Sequence, residues 1–371
     1  MSNDSRGVQS EEQAAKPVPT FFPSRAMIEV TRRCVQRCVH CYIDDFSGEG
    51  ELSTDELKDV LRQLFEMNCL EVTFTGGDPF MRRDFMDILR YARQLHFAIV
   101  LYTEATLITP ELADQLKQIS PWRVEVTLLG PDAELHDRLT RSRGSFERSL
   151  RGIRLLLERG INVKGKTILM KDNVDRYPEM RDLFDELGMA HIVDPLVTPM
   201  TNGDCSVTGL RIGRERMKEL LGDDTIAPGT IMLGTSMYSD AMNQSRDLPM
   251  CKAGLSFLHI NADGSVLPCV ALPVEAGNVR EQSLRDIWDT SELFARMRTT
   301  TMKDLDTCSD CELYVLCYRC PGLALLEDGD MYGPSRTGCE NAEIKRELQL
   351  EKQQAEAAAK AEGDDPGDVG D

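Results

Sequence analysis

Three cysteines fall within eight residues as Cys34-x3-Cys38-x2-Cys41, and an aromatic residue, Tyr42, follows at once. Thiolates this close must share one loop, and soft sulfur ligands select zinc or iron–sulfur clusters. A structural zinc site closes with four ligands. Three thiolates on a 4Fe–4S cluster leave one iron without a protein ligand. An open iron suits a reactive site and not a pure electron carrier. Arg32, Arg33 and Arg37 surround the loop. Their charge would stabilise thiolates and a reduced cluster; a solvated basic loop is the plainer reading.

Seven of the twelve cysteines lie after residue 250. Cys251 and Cys269 flank Gly264. Cys308-x2-Cys311-x5-Cys317-x2-Cys320 then places four thiols in 13 residues, and Cys339 follows. Two zinc sites account for that count; so do iron–sulfur clusters. Cys69 directly precedes an apolar run and reads as a buried small hydrophobe.

The elements that position these residues follow from patterning. Over residues 25–195, short apolar runs alternate with amphipathic periods. Strands are expected at Met27–Thr31, Leu70–Thr75, Ala98–Thr103, Arg123–Leu128, Val163–Leu169 and His191–Pro195. A helix begins at Ser53-Thr54-Asp55-Glu56, an N-cap with an acidic first turn, and continues through the stripe Leu57, Val60, Leu61, Leu64 and Phe65. Further helices are expected near 82–95, 109–119, 145–159 and 174–188. This alternation predicts parallel βαβ units, as an open sheet or a partial barrel. Residues 1–24 read as a disordered lead and 196–250 as a connection with one helix near 213–221. Residues 251–345 form a Cys-rich region in which metal ligands replace much of a core. Residues 346–371 read as a tail that starts as a polar helix and ends acidic.

The 371 residues are 41% hydrophobic and 28% charged, and 43 basic against 62 acidic residues give a net charge of −19. That balance argues against a nucleic-acid-binding face. No run of about 18 apolar residues exists to span a membrane, and the polar N-terminus is no secretory signal. A cytoplasmic protein is expected, in which clustered cysteines mean metal or redox chemistry and not disulfides.

The Cys-x3-Cys-x2-Cys-aromatic loop after the first strand resembles that of the radical S-adenosylmethionine (SAM) enzymes. Thr73-Phe74-Thr75-Gly76-Gly77-Asp78-Pro79 ends the second strand and is similar to the family's Gly-Gly-Glu-Pro segment, with Asp78 in place of the usual Glu. Two glycines let the backbone approach a ligand closely. The resemblance implies a partial (β/α)6 TIM-like barrel with its site at the C-terminal strand ends. It implies that Cys34, Cys38 and Cys41 hold a 4Fe–4S cluster whose open iron SAM chelates. Electron transfer then cleaves SAM to a 5′-deoxyadenosyl radical, which abstracts hydrogen from substrate. Tyr42 would pack near the adenine, Gly76, Gly77 and Asp78 would hold the amino group, and Thr127 would face the ribose or carboxylate. In the His136–Arg141 segment Thr140 stands at the usual Arg place, so Arg141 or Lys166 would pair with that carboxylate. Glu104 sits where relatives often carry Asn. His40 is expected to be a hydrogen-bonding neighbour of the ligands.

The seven C-terminal cysteines, with Gly277-Asn278-Val279-Arg280 and Ile287-Trp288 before the quartet, resemble the SPASM extension of radical SAM peptide maturases. The resemblance implies two auxiliary 4Fe–4S clusters, three clusters in all. Cys308, Cys311, Cys317 and Cys339 would hold the outer one. Cys251, Cys269 and Cys320 would hold the inner one, a ligand short. The family has three residues between its last cysteine pair; here Tyr318 and Arg319 are two. The implied substrate is a ribosomally made peptide or protein, read with a separate leader-recognition protein, and the implied reductant is a flavodoxin or ferredoxin. Cys205, in Thr201-Asn202-Gly203-Asp204-Cys205, is a candidate hydrogen-atom donor to a substrate radical, against the plainer reading of an incidental loop cysteine. The alternatives are tailoring of tetrapyrrole propionates, as in haem biosynthesis, and a non-catalytic zinc or iron–sulfur protein.

Overall fold

The computed structural model describes residues 21–226, 229–232 and 245–363. Its first half alternates strand and helix. The strands are β1 (Arg25–Glu29), β2 (Glu71–Thr75), β3 (Ala98–Thr103), β4 (Arg123–Thr127), β5 (Val163–Ile168) and β6 (Ala190–Asp194). The helices are α1 (Thr54–Glu66), α2 (Phe85–Gln94), α3 (Pro110–Ile119), α4 (Ala133–Thr140), α5 (Ser145–Glu158) and α6 (Tyr177–Glu186). Each strand pairs in parallel with the next, from β1 to β6. Strand β6 stays at an edge, so the barrel is partial.

Strand alternation separates two faces. Ile28, Phe74, Leu101 and Val126 point outward into one core with Leu61, Leu64, Ile88, Leu116 and Ile153 from the helices. The opposite face carries Glu29, Thr75, Tyr102, Glu125, Thr127 and Lys166, paired in register as Glu29 with Thr75, Tyr102 with Glu125 and Thr127 with Lys166. Polar residues therefore line the inside of the barrel, where a ligand needs them. Helix α1 begins as expected: Ser53 Oγ accepts from Glu56 N–H and the Glu56 carboxylate accepts from Ser53 N–H. Helix α4 was not anticipated; its eight residues, capped by Asp132, are too short to show a clear period.

The second half departs from expectation in three places. Strand β7 (Phe257–Ile260) pairs in parallel with β1, and β8 (Ser265–Leu267) and β9 (Gly277–Asn278) extend the same sheet. The start of the Cys-rich region is thus continuous with the barrel sheet; runs of two to four residues carry no legible period. Residues 21–24 of the expected disordered lead are packed: Trp288 Nε1 donates to Phe21 O at 3.1 Å. Trp288 lies in α8 (Leu284–Thr290), followed by α9 (Glu292–Thr299) and α10 (Pro321–Asp328). Helix α11 (Arg336–Gly363) crosses the expected boundary at 346. It docks Leu348 on the apolar cluster of α7 (Arg214–Gly222) and pairs Glu347 with Arg214 at 2.6 Å. The rest of the expected lead and the acidic end of the tail lie outside the described residues. No helix among the described residues is long and apolar enough to cross a membrane.

Gly152 of α5 offers a test of this packing. Alanine ordinarily stabilises a helix interior over glycine by about 1 kcal/mol. Here a Cβ would lie 2.1 Å from the Ala105 carbonyl oxygen, a backbone atom that cannot rotate away. Gly152→Ala is expected to destabilise the fold by about 1–3 kcal/mol, read as a lower urea midpoint. A raised midpoint would mean that α5 stands clear of the loop after β3.

Candidate active site and cluster-binding cysteines

The cysteine loop hangs between β1 and α1, at the C-terminal end of the barrel. Its backbone is fastened to the glycine turn after β2. Gly77 N–H donates to Thr31 O and Asp78 N–H to Arg33 O, both at 2.9 Å. A Cβ on Gly76 would lie 2.2 Å from Thr31 O, and one on Gly77 2.4 Å from Arg33 O. Only glycine permits that approach. The far side of the loop is tied to α4: Arg37 N–H donates to Thr140 O at 3.0 Å and Val39 N–H to Leu139 O at 2.9 Å. Arg82 closes the loop's base. Its buried guanidinium donates to Val30 O at 2.9 Å and Leu52 O at 2.8 Å, and pairs with Asp84 at 2.7 Å.

The three cysteines are half-buried, in an acidic setting. Burial, then the Glu104 carboxylate, pushes Cys34 and Cys38 well above the ordinary thiol range, and burial pushes Cys41 up to about 11. As bare thiols they hold their protons; bound metal reverses that balance. Burial, then Lys166, lowers His40 to about 4, so it is neutral. Around the loop, His40 Nδ1, Gln36 Nε2 and Glu104 Oε2 are buried without hydrogen-bond partners. Such groups are costly unless something bound satisfies them. Among the described residues, no three Cys, His, Asp or Glu side chains converge on a single-ion position. A zinc site would need sulfurs about 2.3 Å from one ion. Three soft donors on one loop, with orphaned polar groups beside them, fit an iron–sulfur cluster with a further polar ligand.

The other expected site residues divide into two groups. Lys166 Nζ stands 5.2 Å over the Tyr102 ring inside the barrel, beside Thr127 in register. The Tyr42 side chain hydrogen-bonds Thr75 near Glu29, and its carbonyl accepts from Thr201 N–H at 3.0 Å. Arg141 lines a cavity of about 480 Å³ beside the loop and lies close enough to act on Cys38. Cys38, Cys41, Arg37 and the carboxylate of Asp44 line this cavity with Val39, Ile43, Phe46, Met200, Ser206, Val207 and Leu210. The Arg37 guanidinium stacks 4.0 Å over Phe46. Cys205 is adjacent but turned away: its thiol lies 3.4 Å from Leu326 O, while Ser206 and Val207 reach the cavity. A wider hollow of about 540 Å³ between α1 and residues 279–285 is lined by neither cysteine nor histidine. Cys69 is buried as expected.

The C-terminal cysteines form two groups. Cys317 is pushed up to about 12 by burial and by the charges of Cys339, Cys308 and Cys311. Cys251 is pushed up to about 11 by burial, with Cys320 also acting on it, and it packs in one apolar cluster with Cys269. Arg319 stands between the groups. Its guanidinium is buried, donates to Gly333 O and Met331 O, and acts on Cys308, Cys317, Cys320 and Cys251. The shortened Cys317–Cys320 spacing thus holds a buried cation between the two thiol groups. Neither Arg319 nor Arg82 stood out in the sequence, because an arginine's burial is not a local property.

The chain matches the radical SAM superfamily over residues 28–184 and the SPASM iron–sulfur cluster-binding domain over residues 251–312. It is 32% identical over 318 residues to the AdoMet-dependent heme synthase of Oleidesulfovibrio alaskensis, covering 79% of this chain and 81% of that one. It is 27% identical to the PqqA peptide cyclase of Rhodopseudomonas palustris, covering 87% and 89%. Streptococcus suis SuiB bound to its precursor peptide SuiA shares the fold, with a TM-score of 0.69 at 18% identity over 85% of this chain and 76% of that one.

Replacing Arg82 leaves the carbonyls of Val30 and Leu52 without this donor and Asp84 with the Thr54 hydroxyl but no cation. Arg82→Met is expected to lower apoprotein stability by about 3 kcal/mol and to reduce iron retention on desalting. Wild-type iron content in a destabilised Arg82→Met protein would uncouple the loop's base from cluster binding. In sequence and in architecture, this chain belongs to the radical SAM superfamily, an enzyme family that uses a 4Fe–4S cluster and SAM, and it carries a SPASM iron–sulfur cluster-binding domain.

Proposed function

We propose that this enzyme abstracts hydrogen from a carboxylate-bearing tetrapyrrole and modifies its propionate side chains. The observation that carries this reading is the cavity beside Cys38 and Cys41. Its walls are largely apolar, and two guanidinium side chains, Arg37 and Arg141, line it against the single carboxylate of Asp44, leaving a net positive charge. A macrocycle buries flat apolar faces, while its carboxylates need paired cations. The similarity to a heme synthase over about four-fifths of both chains supports the same reading.

Within it, Cys34, Cys38 and Cys41 hold the SAM cluster. Cys308, Cys311, Cys317 and Cys339 hold an outer auxiliary cluster, and Cys251, Cys269 and Cys320 an inner one. When bound, the first cluster and SAM supply a 5′-deoxyadenosyl radical. Gly76 and Gly77 give SAM its backbone cradle, and Tyr42, Thr127 and Lys166 face it from inside the barrel, with Lys166 taking the carboxylate. Arg37 and Arg141 orient the substrate. Apolar walls keep water from the reacting carbon. A flavodoxin or ferredoxin supplies electrons through the auxiliary clusters.

A second reading, modification of a ribosomally made peptide with a separate leader-recognition protein, is favoured by the two C-terminal thiol groups. The similarity to a peptide cyclase over 87% of the chain also supports it. There Cys205 would need to turn from Leu326 O to reach a substrate radical.

Anaerobically reconstituted protein with dithionite and SAM separates the readings. With an iron-coproporphyrin and an added one-electron acceptor, 5′-deoxyadenosine formation is expected to rise, and each propionate that gives up a hydrogen atom to release carbon dioxide, pass one electron to the acceptor and become a vinyl group. Stimulation only by a peptide encoded beside the gene, with loss of two hydrogens, would favour the second reading. Under the first, Arg141→Met is expected to raise the porphyrin KM about tenfold, equivalent to about 1.4 kcal/mol. An unchanged KM would remove the guanidinium from substrate binding.

A further inference from the structure

We propose that Glu104, and not Asp78, supplies the carboxylate that receives the cationic amino group of SAM. The inference rests on the family's cofactor and not on the substrate. Asp78 is fully buried and its oxygens are engaged in structure. Oδ1 accepts from Phe80 N–H at 2.9 Å, capping the short turn at Pro79–Met81. Oδ2 accepts from Thr103 Oγ1 at 3.0 Å, and that hydroxyl accepts in turn from Ala105 N–H at 3.0 Å. Asp78 thereby ties the glycine turn to the end of β3, and its short side chain is spent there.

Glu104 follows directly on that tie. Oε1 accepts from the Cys34 thiol at 3.8 Å; Oε2 is buried and has no hydrogen-bond partner. The Glu104 carboxyl lies against that of Asp78, and two buried acids this close call for a shared proton or a cation beside them. Glu104 lies close to Cys34, Cys38, Cys41 and Tyr42, amid the cysteine loop. The backbone carrying it is held firmly. Glu104 O accepts from Ser149 Oγ at 2.7 Å, and Ala105 is locked at φ +58 against Gly152. A left-handed alanine is strained and persists only where its surroundings dictate it. A buried carboxylate oxygen without a donor calls for one, and a cationic ammonium beside the cluster ligands is a charge-assisted donor of the right kind. The methylene missing at Asp78 is thus made up by a longer acid on the neighbouring strand end.

The test compares SAM with its analogue lacking the α-amino group, by equilibrium dialysis on cluster-loaded wild type, Glu104→Gln and Asp78→Asn, with iron and sulfide counted in each. Wild type is expected to prefer SAM. Glu104→Gln should cut that preference about tenfold and leave the analogue's affinity unchanged. Asp78→Asn should keep the preference and lower thermal stability. An intact preference in Glu104→Gln, or its loss in Asp78→Asn alone, overturns the proposal. If Glu104→Gln cannot hold a cluster, Glu104→Asn takes its place. Loss of the cluster from both folded variants assigns Glu104 to the cysteine loop and likewise overturns it. Wild type that binds no SAM refutes the cofactor for this chain as well.

Discussion

The contact between the backbone of the cysteine loop and the backbone of the glycine turn constrains everything around the site. Two N–H groups of the turn, on Gly77 and Asp78, are spent on carbonyls of Thr31 and Arg33. The approach leaves no room for a side chain at either glycine. Two loops from adjacent strands become one surface. Arg82 then fixes the points where the cysteine loop leaves β1 and enters α1. A loop of some twenty residues would otherwise lose much entropy on ordering; here its ends and its middle are held before any cluster arrives.

The parallel sheet turns that local surface into a cleft. One strand face makes the core with the helices, and the opposite face is left polar. The same alternation that stabilises the fold therefore delivers Glu29, Thr75, Tyr102, Thr127 and Lys166 to the barrel interior. Burial first, and then the Glu104 carboxylate at the end of β3, act against free thiolates and raise Cys34 and Cys38. The site is built for bound positive charge, whether iron or a cationic cofactor. Buried polar groups without partners, as on Gln36, His40 and Glu104, are the signature of a place made for a ligand.

The C-terminal half continues the barrel sheet through β7 to β9 and then runs into the cysteine quartet. Arg319 joins the two thiol groups there, with its guanidinium anchored on carbonyls of Met331 and Gly333. A fixed cation between two sets of thiols favours their charged forms and a reduced cluster. The close Cys317–Cys320 spacing, a departure from the family's pattern, brings this arginine between them. Helix α11 steadies the quartet from below, since Cys339 lies in its first turns and its middle docks on α7.

By itself the sequence determined the strand–helix alternation, the capped start of α1, the cysteine loop and the glycine turn. Each of these is written in neighbouring residues, as period, cap or spacing. It also separated Cys69 from the ligand candidates. Only the tertiary structure decided that β7 would join β1, that Phe21 would dock on Trp288, and that Arg82 and Arg319 would be buried. Tertiary structure alone also set Lys166 over the Tyr102 ring and Arg141 at the cavity beside Cys38 and Cys41, and left one oxygen of Glu104 buried without a hydrogen-bond donor. Those outcomes depend on residues tens to hundreds of positions apart meeting in space. Burial and hydrogen-bond satisfaction are properties of that meeting, and no local pattern encodes them.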